Sequence, residues 1–424
     1  MNWKPVRGMA VVLSVLVLAT SCSGSNGEAG RPEPLRVGAI YPLSGSQGPG
    51  GIEEYRGVEL AARLANQRGG ADGRPVELVP VDVPEADAAP AAVRRLASQG
   101  IEVMLGSYGS TISEPAAQAA SKGGQVFWET GAVGELMGLS SGGDRVFRVA
   151  PAGSLLGKAA MDFVASQLLP RLNRKPGGLR YTVAAVDDQF GDGVARGALA
   201  ELRARGLTVA GDLRYDPRRD PAAGVVRRIA ATRPDVLFVV AYIDDGVAIR
   251  KQIVAQKLHL VANIGTSSSY CMPAFGAALG KDAVGLFASD KPAADWLSAR
   301  GLAPDAIALL NQANHAYRAA YGDSMSAAAL AGFAGAWALL HFVLPRAGST
   351  DPGQVAAAAR SVDVPVGGLP NGSGLRFGAV GTPDASDNVG AASVIWEWVD
   401  VNDRQITWPP RFATAPIKPL EITP

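Results

Sequence analysis

The side chains able to do chemistry cluster in loops that follow short apolar runs. The string GSYGST (106–111) carries Tyr108, Ser110 and Thr111. It follows IEVML (101–105) and leads into SEPAAQAASKGG (113–124), whose opening Ser, with Glu and Pro next, reads as a helix start. Free backbone N–H groups and the positive end of the helix dipole meet in such a loop. Two hydroxyls add donors, so the loop suits a carboxylate or another polar acceptor; the same hydroxyls would also serve simply as helix caps. WETGAVGEL (128–136) holds Trp128, Glu129, Thr130 and Ala132. Glu129 either offers the cleft a negative charge or faces solvent, and Trp128 either stacks on a ligand or sits in the core. Further on, VDDQFGDG (186–193) presents Phe190, and PDVLFVVAY (234–242) ends on Tyr242 with Asp244 and Asp245 behind it. NIGTSSSY (263–270) brings Ser267. None of this is a catalytic set. His259 follows a helical segment, and His315 and His341 lie within such segments, so each reads as structural. No His/Cys/Glu spacing suggests a metal, and no cofactor is expected. GDGVARG (191–197) has the context of a dinucleotide turn, but the acid expected about twenty residues on is Asp212, placed mid-strand. An NAD-dependent enzyme is the minor alternative.

These loops need a scaffold that aligns them. From residue 35 the chain alternates apolar strand-like runs with helical patterns: LRVGAIYPL (35–43), EEYRGVELAARLANQRGG (53–70), VELVPVDV (76–83), APAAVRRLASQG (89–100). Such βαβ repetition implies parallel sheets flanked by helices. The pattern restarts after residue 150, so two α/β sheets are expected. ASVIWEWVDVNDRQITWP (392–409) alternates around a VNDR turn and reads as a hairpin. The apolar stretch 327–344 is broken by Gly332, Gly335 and His341, which fits a buried core helix. With 424 residues the chain can hold two cores, and 47% hydrophobic against 19% charged residues makes it globular. A formal charge of +1 gives no reason to expect nucleic acid.

The first residues read differently. Lys4 and Arg7 precede an apolar run (9–18), then Ala19, Thr20, Ser21 and Cys22. That run is too short to span a bilayer and reads as a signal peptide over 1–21. Small residues ending in Cys resemble the lipobox of bacterial lipoproteins, with Ala19 where Leu is usual. The resemblance implies a lipidated Cys22, an extracytoplasmic chain anchored to the outer face of the cell membrane, and a Gly/Ser-rich tether over 22–34. Cys271 would then be the single free thiol.

Several strings together resemble the type I periplasmic binding proteins, in particular the branched-chain amino acid-binding group of ABC importers. They are GAIYPLSGSQGPGGIEEYRGVELAARLANQRGGADGRPVEL, VMLGSYGST, VFRVAP, VDDQFGDGVARG, RPDVLFVVAY and the Trp-rich end, in order from about 35 to 409. The resemblance implies two lobes joined by three hinge segments: 35–149 with 290–345, and 150–289 with 346–410, followed by a tail. It implies a monomer that captures a small solute and hands it to an ABC permease, or reports it to a receptor. Ser110 would hold a carboxylate, and Thr130 and the position of Ala132 would contact ligand. Phe190 stands where a Tyr lid is common, and Tyr242 matches another cleft aromatic. Ala132 lacks the hydroxyl, Ser267 replaces the Glu that pairs with an ammonium group, and Gly50 replaces a cleft Tyr. The ligand is then an amino-acid-like compound with a substitute acid (Glu129, Asp244 or Asp245), an amide, or a small carboxylate, and the pocket is roomier.

Overall fold

The computed structural model describes residues 32–134, 143–382, 384–420 and 422. Cys22 and the leader lie outside them, as does most of the segment after Gly134. Five strands form the first sheet: β1 Leu35–Tyr41, β2 Val76–Asp82, β3 Val103–Gly106, β4 Val126–Glu129 and β5 Val146–Arg148. They run parallel in the order β2-β1-β3-β4-β5. The second sheet contains β6 Arg180–Val186, β7 Thr208–Tyr215, β8 Val236–Val240, β9 Ala262–Thr266, β10 Phe287–Asp290, β11 Val394–Asp400 and β12 Asp403–Trp408. Its order is β12-β11-β10-β9-β8-β6-β7, with only β11 and β12 antiparallel to their neighbours. The fully buried runs VMLG and VLFVV are what parallel strands covered on both faces require.

Helices cover the sheets closely where glycine permits. A Cβ on Gly57 would stand 2.0 Å from the Ala329 carbonyl, and one on Gly332 would stand 2.1 Å from the Glu54 carbonyl. The helix Gly48–Gln67 therefore touches the helix beginning at Ala327 backbone to backbone. That second helix runs on to Ala347; it is long and apolar enough to cross a membrane, but 78% of its apolar window is buried in the protein. It is a core helix.

The chain passes between the sheets after β5, after β10 and before β11. The helix Pro352–Ser361 packs on β4 and on the Ala338–Ala347 end of the core helix. Phe377 meets Trp128 and Phe147 at ring distances of 5.5 and 4.8 Å, and Arg148 pairs with Asp387. Residues 352–390 thus stay with the first sheet, and the boundary expected at 346 falls too early. The physical reason is that, beyond the helix Pro352–Ser361, this stretch binds through isolated bridges and ring contacts rather than through a periodic element. The terminal hairpin closes the second sheet, and its Trp396 and Trp398 donate to the carbonyls of Lys291 and Tyr270 at 3.2 and 2.7 Å.

Candidate ligand-binding cleft

The carboxyl ends of both sheets face one cleft, the place where open parallel sheets present their loops. Gln47, Tyr108, Gly109, Ser110, Gly131 and Val133 line it from the first sheet. Phe190, Tyr242, Ser267, Ser268 and Lys291 line it from the second. The walls touch: Lys291 Nζ donates to the Gly131 carbonyl at 2.8 Å. A larger, more open groove lies outside, between the helix Gly48–Gln67 and β2, lined by Tyr55, Arg63 and Leu78. It includes no cleft loop.

On the first wall, Gly109 precedes the helix Ser110–Gly123 and supplies no side-chain cap. Ser110 is buried, and its hydroxyl accepts from the Gly134 N–H at 2.9 Å. Thr111 sits beside the cavity, accepting from Gln47 Nε2 at 2.9 Å. Glu129 does not enter the cleft. It is fully buried and accepts from the N–H groups of Ser107, Gly131 and Ala132 at 2.7–2.8 Å and from the Ser113 hydroxyl. Burial pushes it up to about 7 against those four donors, which favour its charged form. Its work is to shape the loop, and the same holds for Thr130, whose hydroxyl donates to Glu54 Oε1 at 2.7 Å beside the Tyr41 hydroxyl. Ala132 is buried in that turn, and Trp128 is a core residue donating to the Gly335 carbonyl.

The space opened by Gly50 is filled. A Cβ there would stand 2.2 Å from Tyr108 Cζ, so the Tyr108 ring occupies the volume a side chain at position 50 would claim. The expectation of a roomier pocket is corrected on this side.

On the second wall, Phe190 and Tyr242 meet at 5.3 Å between ring centres. The Tyr242 hydroxyl donates to Asp188 Oδ2 at 2.8 Å, while Asp188 Oδ1 caps the helix Gln189–Ala204 through the Gly191 N–H. Burial and the Asp188 charge hold the Tyr242 hydroxyl far above the ordinary tyrosine range. Asp245 accepts from the Tyr215 hydroxyl, and Asp244 is exposed; neither lines the cleft. Ser267 lines it with a buried hydroxyl that has no partner among the described residues. Ser268 follows with φ 71°, a left-handed conformation costly for a non-glycine residue and found at ligand loops.

Gln47, Val133, Ser268 and Lys291 were not singled out from sequence. Lys291 had a usable signal: LFASDK is a short strand followed by a charged residue, and β9 and β10 end side by side. Glu135 and Leu136, the end of the WETGAVGEL string, lie outside the described residues, and no histidine lines the cleft. No group of three or more His, Cys, Asp or Glu placed to hold a metal occurs among the described residues.

A family model described as periplasmic binding protein matches residues 34–386. The chain belongs to that family. The binding protein is 28% identical over 347 residues to the Leu/Ile/Val-binding protein homolog 8 of Brucella abortus, covering 81% of this chain and 84% of that one. Its fold is similar to that of a leucine-binding protein, LivK, from Thermotoga maritima, with TM-score 0.71, 18% identity, and coverage of 88% and 97%. It is also similar to a solute-binding protein of an ABC transporter from R. palustris in complex with benzoate, with TM-score 0.69, 18% identity, and coverage of 92% and 99%. The binding protein thus shares both its sequence pattern and its two-sheet fold with proteins whose names speak of solute capture.

Proposed function

We propose that this chain is an extracytoplasmic solute-binding protein that closes its cleft on a small polar solute and delivers it, as a monomer, to an ABC importer. One observation carries the reading: the Ser110 helix start on one wall faces Phe190, Tyr242 and the unpartnered Ser267 hydroxyl on the other, in a single cavity. A carboxylate fits the helix start, and an aromatic pair covers the rest of the solute. Family membership and the relatives named as Leu/Ile/Val-binding homologs support it. The Cys22 motif supports anchoring by lipid. The test is a thermal-shift and calorimetry panel of amino acids, amides and small carboxylates. A ligand raises the melting temperature by mass action, adding about 2.7 kcal/mol at a hundred times its Kd, and is recovered unchanged. If Ser110→Ala and Tyr242→Ala both leave affinity untouched, the cleft is not the site. Cys22→Ser should release the protein from membranes into the medium.

A further inference from the structure

Among the described residues eleven line the cleft, and one of them carries a formal charge: Lys291. It is 8% exposed, spends one proton on the Gly131 carbonyl, and takes part in no ion pair among the described residues. The carboxylates around it are turned elsewhere. Asp188 is held by Tyr242 and its own helix, Asp245 by Tyr215, and Glu129 by four donors. Glu54 and Asp290 stand behind the lining, bonded through one oxygen to Thr130 and Cys271. Each keeps a second oxygen without a partner among the described residues; burial favours the uncharged form of both, against the nearby Lys291 charge, which favours the ionised form. A buried ammonium group needs an anion beside it, and Ser267 offers only a hydroxyl.

Resting on the reading of the cleft as a ligand site, we infer that it selects small monocarboxylates without a cationic group, the carboxylate lying between the Lys291 ammonium and the start of the helix Ser110–Gly123. Lys291 supplies the full positive charge, the helix start supplies N–H donors, and the free Ser267 hydroxyl supplies a further donor from the opposite wall. Such a solute enters with one negative charge and leaves no buried cation unpaired. An amino acid of the same skeleton brings an ammonium group that no lining residue among the described residues can neutralise.

Calorimetry on the full chain with matched pairs tests this: alanine with pyruvate, valine with 3-methyl-2-oxobutanoate, leucine with 4-methyl-2-oxopentanoate, and phenylalanine with phenylpyruvate. In every pair that binds, the oxo acid should be tighter by at least about tenfold, and Lys291→Gln should weaken it by at least about tenfold while Lys291→Arg retains most of the affinity. Equal or tighter binding of the amino acid overturns the inference, as does a folded Lys291→Gln variant with unchanged affinity. Should Lys291→Gln fail to fold, the pair ratios and the Arg variant still decide. If no acid binds but the matching amides do, the charge inference falls and the binding-protein reading stands. If acids, amino acids and amides are all silent, both fall.

Discussion

The two walls of the cleft use polar side chains in opposite ways. On the first wall they hold the protein to itself: Glu129 ties down Ser107, Gly131, Ala132 and Ser113, Thr130 ties to Glu54, and Ser110 ties to Gly134. On the second wall the Ser267 hydroxyl has no partner among the described residues, and the aromatic pair is steadied from behind by Asp188. Most bonds of the first wall are already made, with Gln47 Oε1 and Glu54 Oε2 left over, and the second wall keeps the Ser267 hydroxyl in reserve. The same chemistry, a buried oxygen near a cleft, therefore has different consequences according to whether its bonds are already made.

The sharpest way to break this contrast is Glu129→Ala. It strands the buried N–H groups of Ser107 and Gly131 and the Ser113 hydroxyl, while the Ala132 N–H keeps the Ser107 carbonyl at 3.1 Å, and should cost more than about 3 kcal/mol in urea unfolding. A loss below 1 kcal/mol would show that the first wall is not held as described. Glu54, behind the same wall, gives the next effect. Burial lifts it from its ordinary value of 4.5 to about 8. Between those values the folded chain keeps a proton that the unfolded chain has lost, so stability falls as pH rises, by up to about 1.4 kcal/mol per pH unit. Melting curves from pH 5 to 8 should show this slope, and Glu54→Gln should flatten it.

The plugged pocket comes third. Gly50→Ala should destabilise by about 1–3 kcal/mol because its methyl meets the Tyr108 ring. In a Tyr108→Ala background the same change should be neutral or better, and that single variant should admit longer ligands. Additive losses in the double-mutant cycle would deny the contact. The smallest effect is expected on the second wall: Ser267→Ala removes a hydroxyl with nothing to lose and should shift stability by less than about 1 kcal/mol, its effect being confined to ligand affinity.

Much of this arrangement is legible in the sequence, and the failures share a cause. The βαβ order and the terminal hairpin follow from apolar runs and turn strings, and the loops after parallel strands bring Tyr108, Ser110, Phe190, Tyr242 and Ser267 to one cavity. Glu129 was not legible, because β4 is buried throughout and offers no alternation to tell which way its last side chain faces. Asp244 and Asp245 illustrate the same ambiguity at a helix start, where a single residue step separates a solvent-facing acid from one bonded to Tyr215. Tyr108 over Gly50 is an exchange of volume between positions far apart in the chain, visible only once both are placed. Lys291 escaped because β10 is short and carries Ser and Asp, and the 352–390 stretch escaped because after its short helix Pro352–Ser361 it packs without regular structure.

The order of the strands along the chain sets a timetable. β10 ends at Asp290, yet its neighbour β11 begins only at Val394, so the second sheet keeps an open edge until the last part of the chain has been made. The first sheet waits as well, for the core helix from Ala327 and for Phe377 to cover Trp128. A ribosome releases both halves unfinished and completes them almost together. For a protein proposed to cross a membrane as an unfolded thread, that late completion is an advantage, since the first half cannot lock before Phe377 is made, nor the second before the final hairpin arrives.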